Sequence, residues 1–94
     1  MAFKREGEIV AFCVSILRDK GPMPLDTLRA NLKEHYYKKH FTLTTYELAH
    51  IIAHRKVANG RFLKVRSKRT VSLGRSYPII YYLPGQDVSW WLRQ

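Results

Sequence analysis

The chain has 94 residues, 46% of them hydrophobic, with 17 Lys and Arg against 7 Asp and Glu and a formal charge of +10. That length fits one domain over residues 1–94, and that composition argues against a disordered chain. A single cysteine excludes an intrachain disulfide, and the longest apolar run, IVAFCVSIL, is nine residues, too short to cross a bilayer.

This run follows KREGE, and no small-residue cleavage site comes after it, so no signal peptide is expected. The expected setting is intracellular, in cytoplasm or nucleoid. A first helix is predicted over residues 6–18. Ile9, Cys13, Ile16 and Leu17 recur at helical spacing, and Val10 and Phe12 widen the stripe. Glu6 and Glu8 fall in the first turn, where the helix dipole favours negative charge. Gly21 suits the position just past the helix, and Pro22 blocks continuation. Cys13 lies on the apolar stripe, which predicts a buried thiol and not a nucleophile.

The second helix starts near Pro24, carries Leu25, Leu28 and Leu32 as its stripe, and fades into HYYKKHF. The third has the best start signal in the chain. Thr44 as N-cap with Glu47 three residues on makes a capping box, and Leu43 and Leu48 make a hydrophobic staple. Leu48, Ile51 and Ile52 face inward. The helix is expected to end at ANG, with Gly60 as its C-terminal glycine, although Val57 then falls off the buried stripe.

RFLKVR and YPIIYYL alternate, are rich in β-formers, and read as a hairpin closed by Pro84 and Gly85. Leu63 and Val65 are expected to bury one face while Lys64 and Arg66 project from the other. Tyr81 and Tyr82 are neighbours on one strand and point to opposite faces, which favours packing over base stacking. Residues 86–94, QDVSWWLRQ, form an aromatic tail.

Charge is segregated along this chain. Residues 1–47 hold eight basic and six acidic side chains; residues 48–94 hold nine basic and one acidic. Between Arg55 and Arg75 there are eight cations and no acid, the electrostatic footprint of a polyanion binder. Turning the stripe of the third helix inward sets Tyr46, Ala49, His50 and Ala53 outward, flanked by Thr45, His54 and Lys56. Small residues let a helix approach base edges, while Thr, Tyr and His supply hydrogen bonds or methyl contacts. Arg61, Lys64, Arg66, Lys68, Arg69 and Arg75 are the candidates for neutralising phosphates. Lys38 and Lys39 are either a further phosphate contact or a solvated surface.

His50 and His54 have the spacing of a metal-binding pair. The other candidates, Cys13, His35 and His40, follow no ligand pattern, so no metal is expected. No nucleophile–base set or phosphate-cradling loop occurs, so neither an enzyme nor a cofactor is expected. So small a domain has little room for a small-molecule effector.

Three helices followed by a basic hairpin resemble the winged helix-turn-helix superfamily over about residues 6–85. The resemblance is carried by GPMPLDTL entering the second helix, the capped third helix closing at NGRFLKV, and the return strand GRSYPIIYYLPG. High charge and tyrosine content also resemble small winged-helix proteins of archaeal viruses and plasmids. The segment over residues 36–43 departs from that family, being longer and more basic than its usual tight turn. The resemblance implies an α+β winged helix, a three-helix core plus a C-terminal β-hairpin wing. It implies a double-stranded DNA-binding transcriptional regulator, the third helix in the major groove and the wing on the backbone or minor groove. A homodimer using Phe12 of the first helix and Trp90 and Trp91 of the tail is expected, as in many such regulators. The alternatives are RNA or ribosome binding by the same fold, and docking of an acidic protein partner.

Overall fold

The computed structural model describes residues 6–36, 42–53, 55–57, 60–70 and 77–93. Among them the chain forms a small α+β domain. In order the elements are α1 (Glu6–Lys20), β1 (Met23–Pro24), α2 (Leu25–His35), α3 (Thr45–Ala53), β2 (Lys56–Val57), β3 (Gly60–Arg61), β4 (Leu63–Arg66), β5 (Ile79–Tyr82) and α4 (Ser89–Leu92).

The stripe of α1 is the expected one, with Ile9, Cys13, Ile16 and Leu17 all buried. The helix runs past residue 18 to Lys20. Gly21 then takes a φ of 87° and its amide donates to the Leu17 carbonyl at 2.8 Å, a left-handed cap that a side chain would strain. At the start of α2, Pro24 is extended (φ −63°, ψ 155°), the last such residue before the helix. Leu28 and Leu32 of α2 meet Leu48 and Ile52 of α3 in the core, each fully buried. Truncating any of these to Ala costs about 2–5 kcal/mol, a large part of a domain stability of about 5–15 kcal/mol.

The start of α3 follows its sequence signal. Thr44 N–H donates to Glu47 Oε1 at 3.0 Å, and Glu47 N–H donates to Thr44 Oγ1 at 3.1 Å. Leu43 and Leu48 are both buried beside this box, as the staple requires. Its end does not follow. The helix stops at Ala53, and β2 pairs with β3 in a small ladder of its own. Gly60 is therefore not a helix cap. Its φ of 141° serves the ladder, and Val57 misses the helical stripe because it lies in a strand.

β1, β5 and β4 form an antiparallel sheet in that order. Met23 and Pro24 pair with Tyr81 and Ile80, a strand too short to leave a periodic signal in the sequence. Across the other edge Leu63, Lys64, Val65 and Arg66 pair with Tyr82, Tyr81, Ile80 and Ile79. Alternation places Met23, Lys64, Arg66, Ile79 and Tyr81 on one face and Pro24, Leu63, Val65, Ile80 and Tyr82 on the other. Tyr81 joins the helical core, whereas Ile80 is fully buried outside that cluster.

The expected burial of β4 is thereby corrected. Leu63 is 38% exposed and Val65 half-buried, because their face points away from α1, α2 and α3. Lys64 and Arg66 share the helix-side face, and Phe62 supplies the apolar contact from this edge strand to the core. The tail folds back as α4. Gln86 donates to the Leu17 carbonyl at 2.7 Å and accepts from the Leu83 amide at 2.8 Å, and the Trp91 indole N–H donates to the Pro22 carbonyl at 3.2 Å. Among the described residues no helix is long and apolar enough to cross a membrane.

Candidate nucleic-acid interface

The capping box holds α3 so that its unburied side chains project together. Tyr46 is 82% exposed, His50 and Ala53 are exposed, and Ala49 and Thr45 are half-buried. Opposite them stand Lys64 of β4, Tyr81 of β5 and Phe62. Tyr46, Ala49, His50, Ile52, Ala53, Phe62, Lys64 and Tyr81 line one open groove of about 280 Å³. The floor is apolar and the rim carries a phenol, an imidazole and an ammonium. Burial pushes the Tyr81 phenol up, so it stays neutral and able to donate or accept. Among the described residues no carboxylate lines the groove. Sequence reasoning found its helical wall. It missed Phe62 and Tyr81, whose membership depends on how β4 and β5 pack beneath α3.

The acids are engaged elsewhere. Glu6 and Glu8 lie in the first turn of α1, Asp26 in that of α2 and Glu47 in that of α3. Hydrogen bonds from Thr44 hold the Glu47 carboxyl below its ordinary value, the backbone bond being the larger cause. Glu6 Oε1 also takes an ion pair from Arg55 at 3.2 Å, which ties the start of α1 to the residue region following α3. Such partly exposed pairs are worth about 0–1 kcal/mol. Among the described residues no group of three His, Cys, Asp or Glu gathers as metal ligands would. Cys13 is buried on α1, and desolvation pushes its thiol up to about 12.

The expected phosphate contacts divide into two sets. Arg61, Lys64 and Lys68 are exposed; so is Lys56, expected on the flank of the third helix but lying in β2, past the end of α3 at Ala53. Lys56 stands directly across from Arg61 in the β2–β3 ladder, and like charges placed opposite one another destabilise a ladder. Arg66, also exposed, and Arg69, half-buried, each bond to a backbone carbonyl of the chain. Arg66 Nη1 donates to the Tyr77 carbonyl at 2.9 Å. Arg69 stacks its guanidinium over the Trp90 ring, 4.2 Å from the centroid, and its Nε donates to the Trp90 carbonyl. Lys38, Lys39, His54 and Arg75 lie outside the described residues.

The aromatic side chains expected at a second subunit have partners within the chain. Phe12 stacks on His35 with centroids 4.6 Å apart and meets Tyr36 edge-on at 5.7 Å. Trp90 and Trp91 meet edge to face at 4.8 Å, and Trp90 remains 52% exposed. No family model, curated protein or solved structure matches this chain. What the surface can bind therefore follows from its own chemistry.

Proposed function

We propose that this chain is a winged-helix domain that binds double-stranded DNA and acts as a transcriptional regulator, α3 entering the major groove and the β4–β5 hairpin serving as the wing. The single observation that supports this reading is the groove between α3 and β4, where Tyr46, His50 and Lys64 rim an apolar floor with no carboxylate among its described lining residues. A helix with Ala49 and Ala53 on its outward side can approach base edges closely, and Tyr46 and His50 offer hydrogen-bonding groups there. Lys56, Arg61 and Lys68 add exposed positive charge in the chain segments that flank the groove residues. The mutual repulsion of Lys56 and Arg61 is relieved when a phosphate sits between them.

Competition binding with duplex DNA, duplex RNA and single strands at two salt concentrations tests the reading. Tighter binding to duplex DNA, with affinity falling steeply as salt rises, is the expected result. A preference for duplex RNA would transfer the same cations to an A-form partner, and binding to none of them would remove the nucleic acid. Selection of duplexes from a random pool then reports the site. An inverted repeat among the selected sequences would mark a homodimer.

A further inference from the structure

The C-terminal helix meets the hairpin at the point where β4 leaves the sheet. Ser67 continues the ladder, its amide donating to the Pro78 carbonyl at 2.9 Å. Its side chain therefore belongs to the face of Leu63 and Val65, opposite Lys64 and Tyr81. Ser67 is 2% exposed, the one buried residue among the described residues that is neither apolar nor aromatic. Its Oγ lies 2.9 Å from the Arg69 carbonyl and 3.1 Å from the Trp91 carbonyl, and it accepts the Arg69 amide at 2.8 Å. The Lys68 amide donates to the same Trp91 carbonyl at 2.8 Å. Arg69 completes the junction through the Trp90 carbonyl and ring.

Each partner lacks the means to order itself. A helix of four residues leaves its last carbonyls unsatisfied and is too short to persist alone. Beyond Ser67 the strand has left its ladder with β5, which ends at Arg66 and Ser67, so Lys68 and Arg69 have no strand pairing to fix them. Here the orphan carbonyls of Trp90 and Trp91 are taken by the donors of residues 67–69, and a cation sits at the helix C-terminus, where the dipole favours it.

We infer that α4 is a clamp that positions the wing for DNA from behind, with Ser67, Arg69 and Trp90 as positioning residues that touch no phosphate. The inference rests on the DNA-binding reading and deepens it. Lys68, held by its amide, is presented with an exposed ammonium, while the guanidinium of Arg69 is spent on the tail. Affinity for duplex then depends on the last residues of the chain, which lie on the sheet face opposite the groove.

The test uses full-length Ser67→Ala, Trp90→Ala and Trp90→Phe beside Lys64→Ala. Amide exchange is followed without DNA, and duplex affinity is followed against salt. Trp90 is half-exposed, so its variants leave the main core untouched. Trp90→Ala and Ser67→Ala should speed exchange at Lys68 and Arg69 by about tenfold or more. They should weaken duplex binding about three- to tenfold, the cost of ordering a few side chains on binding, with the salt slope unchanged. Trp90→Phe keeps an aromatic face under Arg69 and should restore most of the affinity. Lys64→Ala should instead lower the slope by roughly 0.9, one phosphate contact. Faster exchange with unchanged affinity would overturn the inference. So would a slope that falls in Trp90→Ala, which would make Arg69 a phosphate ligand itself. A wild type that binds no duplex would overturn the functional reading and this inference together; the other two outcomes overturn this one alone.

Discussion

Lys64 and Tyr81 stand directly opposite one another across the β4–β5 ladder, and both open onto the groove whose other wall is α3. One is a cation on an edge strand; the other is a phenol built into the helical core. Their pairing fixes where positive charge stands relative to the exposed side chains of α3. Replacing Lys64 by Ala should weaken binding to every duplex about equally and reduce the log–log salt slope by roughly 0.9. Anisotropy titrations at four or more salt concentrations measure both quantities. A change of preferred sequence with an intact slope would assign Lys64 to base reading instead.

His50 and Tyr46 should act differently. Both are exposed, so truncation to Ala should alter stability by less than about 0.5 kcal/mol. Each should relax discrimination at one base pair by about 1–3 kcal/mol while leaving non-specific binding in place. Ranking variant and wild type against a panel of single-base changes in a selected site checks this. Identical rankings would remove both side chains from the reading face.

Arg61 faces Lys56 at a cost to the free protein. Arg61→Gln should raise thermal stability by about 0.2–1 kcal/mol and weaken duplex binding. Thermal melts and binding isotherms on one preparation show whether the two change in opposite directions. Loss of stability on neutralisation would mean that the pair is held by contacts of its own.

The Thr44–Glu47 box gives the domain an acid-sensitive joint. The Glu47 carboxyl titrates below its unfolded value of about 4.5 because Thr44 donates to the ionised form. Its contribution is complete above that value and is lost as pH falls through the lower folded one. Urea midpoints between pH 6 and pH 2 should therefore fall, and Glu47→Gln should flatten part of that fall. Thr44→Ala should cost about 0.5–2 kcal/mol at neutral pH. An acid limb unchanged in Glu47→Gln would show that other carboxylates set it.

Cys13 is a packing residue whose thiol burial pushes up to about 12. A thiol reagent at pH 8 should label the native chain far more slowly than the urea-unfolded chain, since the thiolate is the reactive form. Equal rates would mean that α1 opens readily.

The parts of this fold that were legible in the sequence are those fixed by neighbours in the chain. The stripe of α1, the Gly21 cap and the Thr44 box each depend on residues within one or two turns. The outward face of α3 followed from that box and from Leu48 and Ile52. Where a local signal had two uses, the reading went astray. Gly60 looks like a helix-terminating glycine, yet its positive φ serves the β2–β3 ladder. Alternation sorts β4 into two sets of side chains but does not say which set faces α1, α2 and α3, and Leu63 lies on the other face. Contacts between distant segments left no trace at all. Arg69 meets Trp90 across 21 positions and Gln86 meets Leu17 across 69, and nothing in either neighbourhood announces it.

The most direct test of the central claim is amide chemical-shift mapping of the full chain as duplex DNA is added. Perturbations should concentrate on Tyr46, Ala49, His50, Ala53, Phe62 and Lys64, with Lys56, Arg61 and Lys68 at the margin. Perturbations confined to the outer surface of α1 and α2, or none at stoichiometric duplex in low salt, would contradict it.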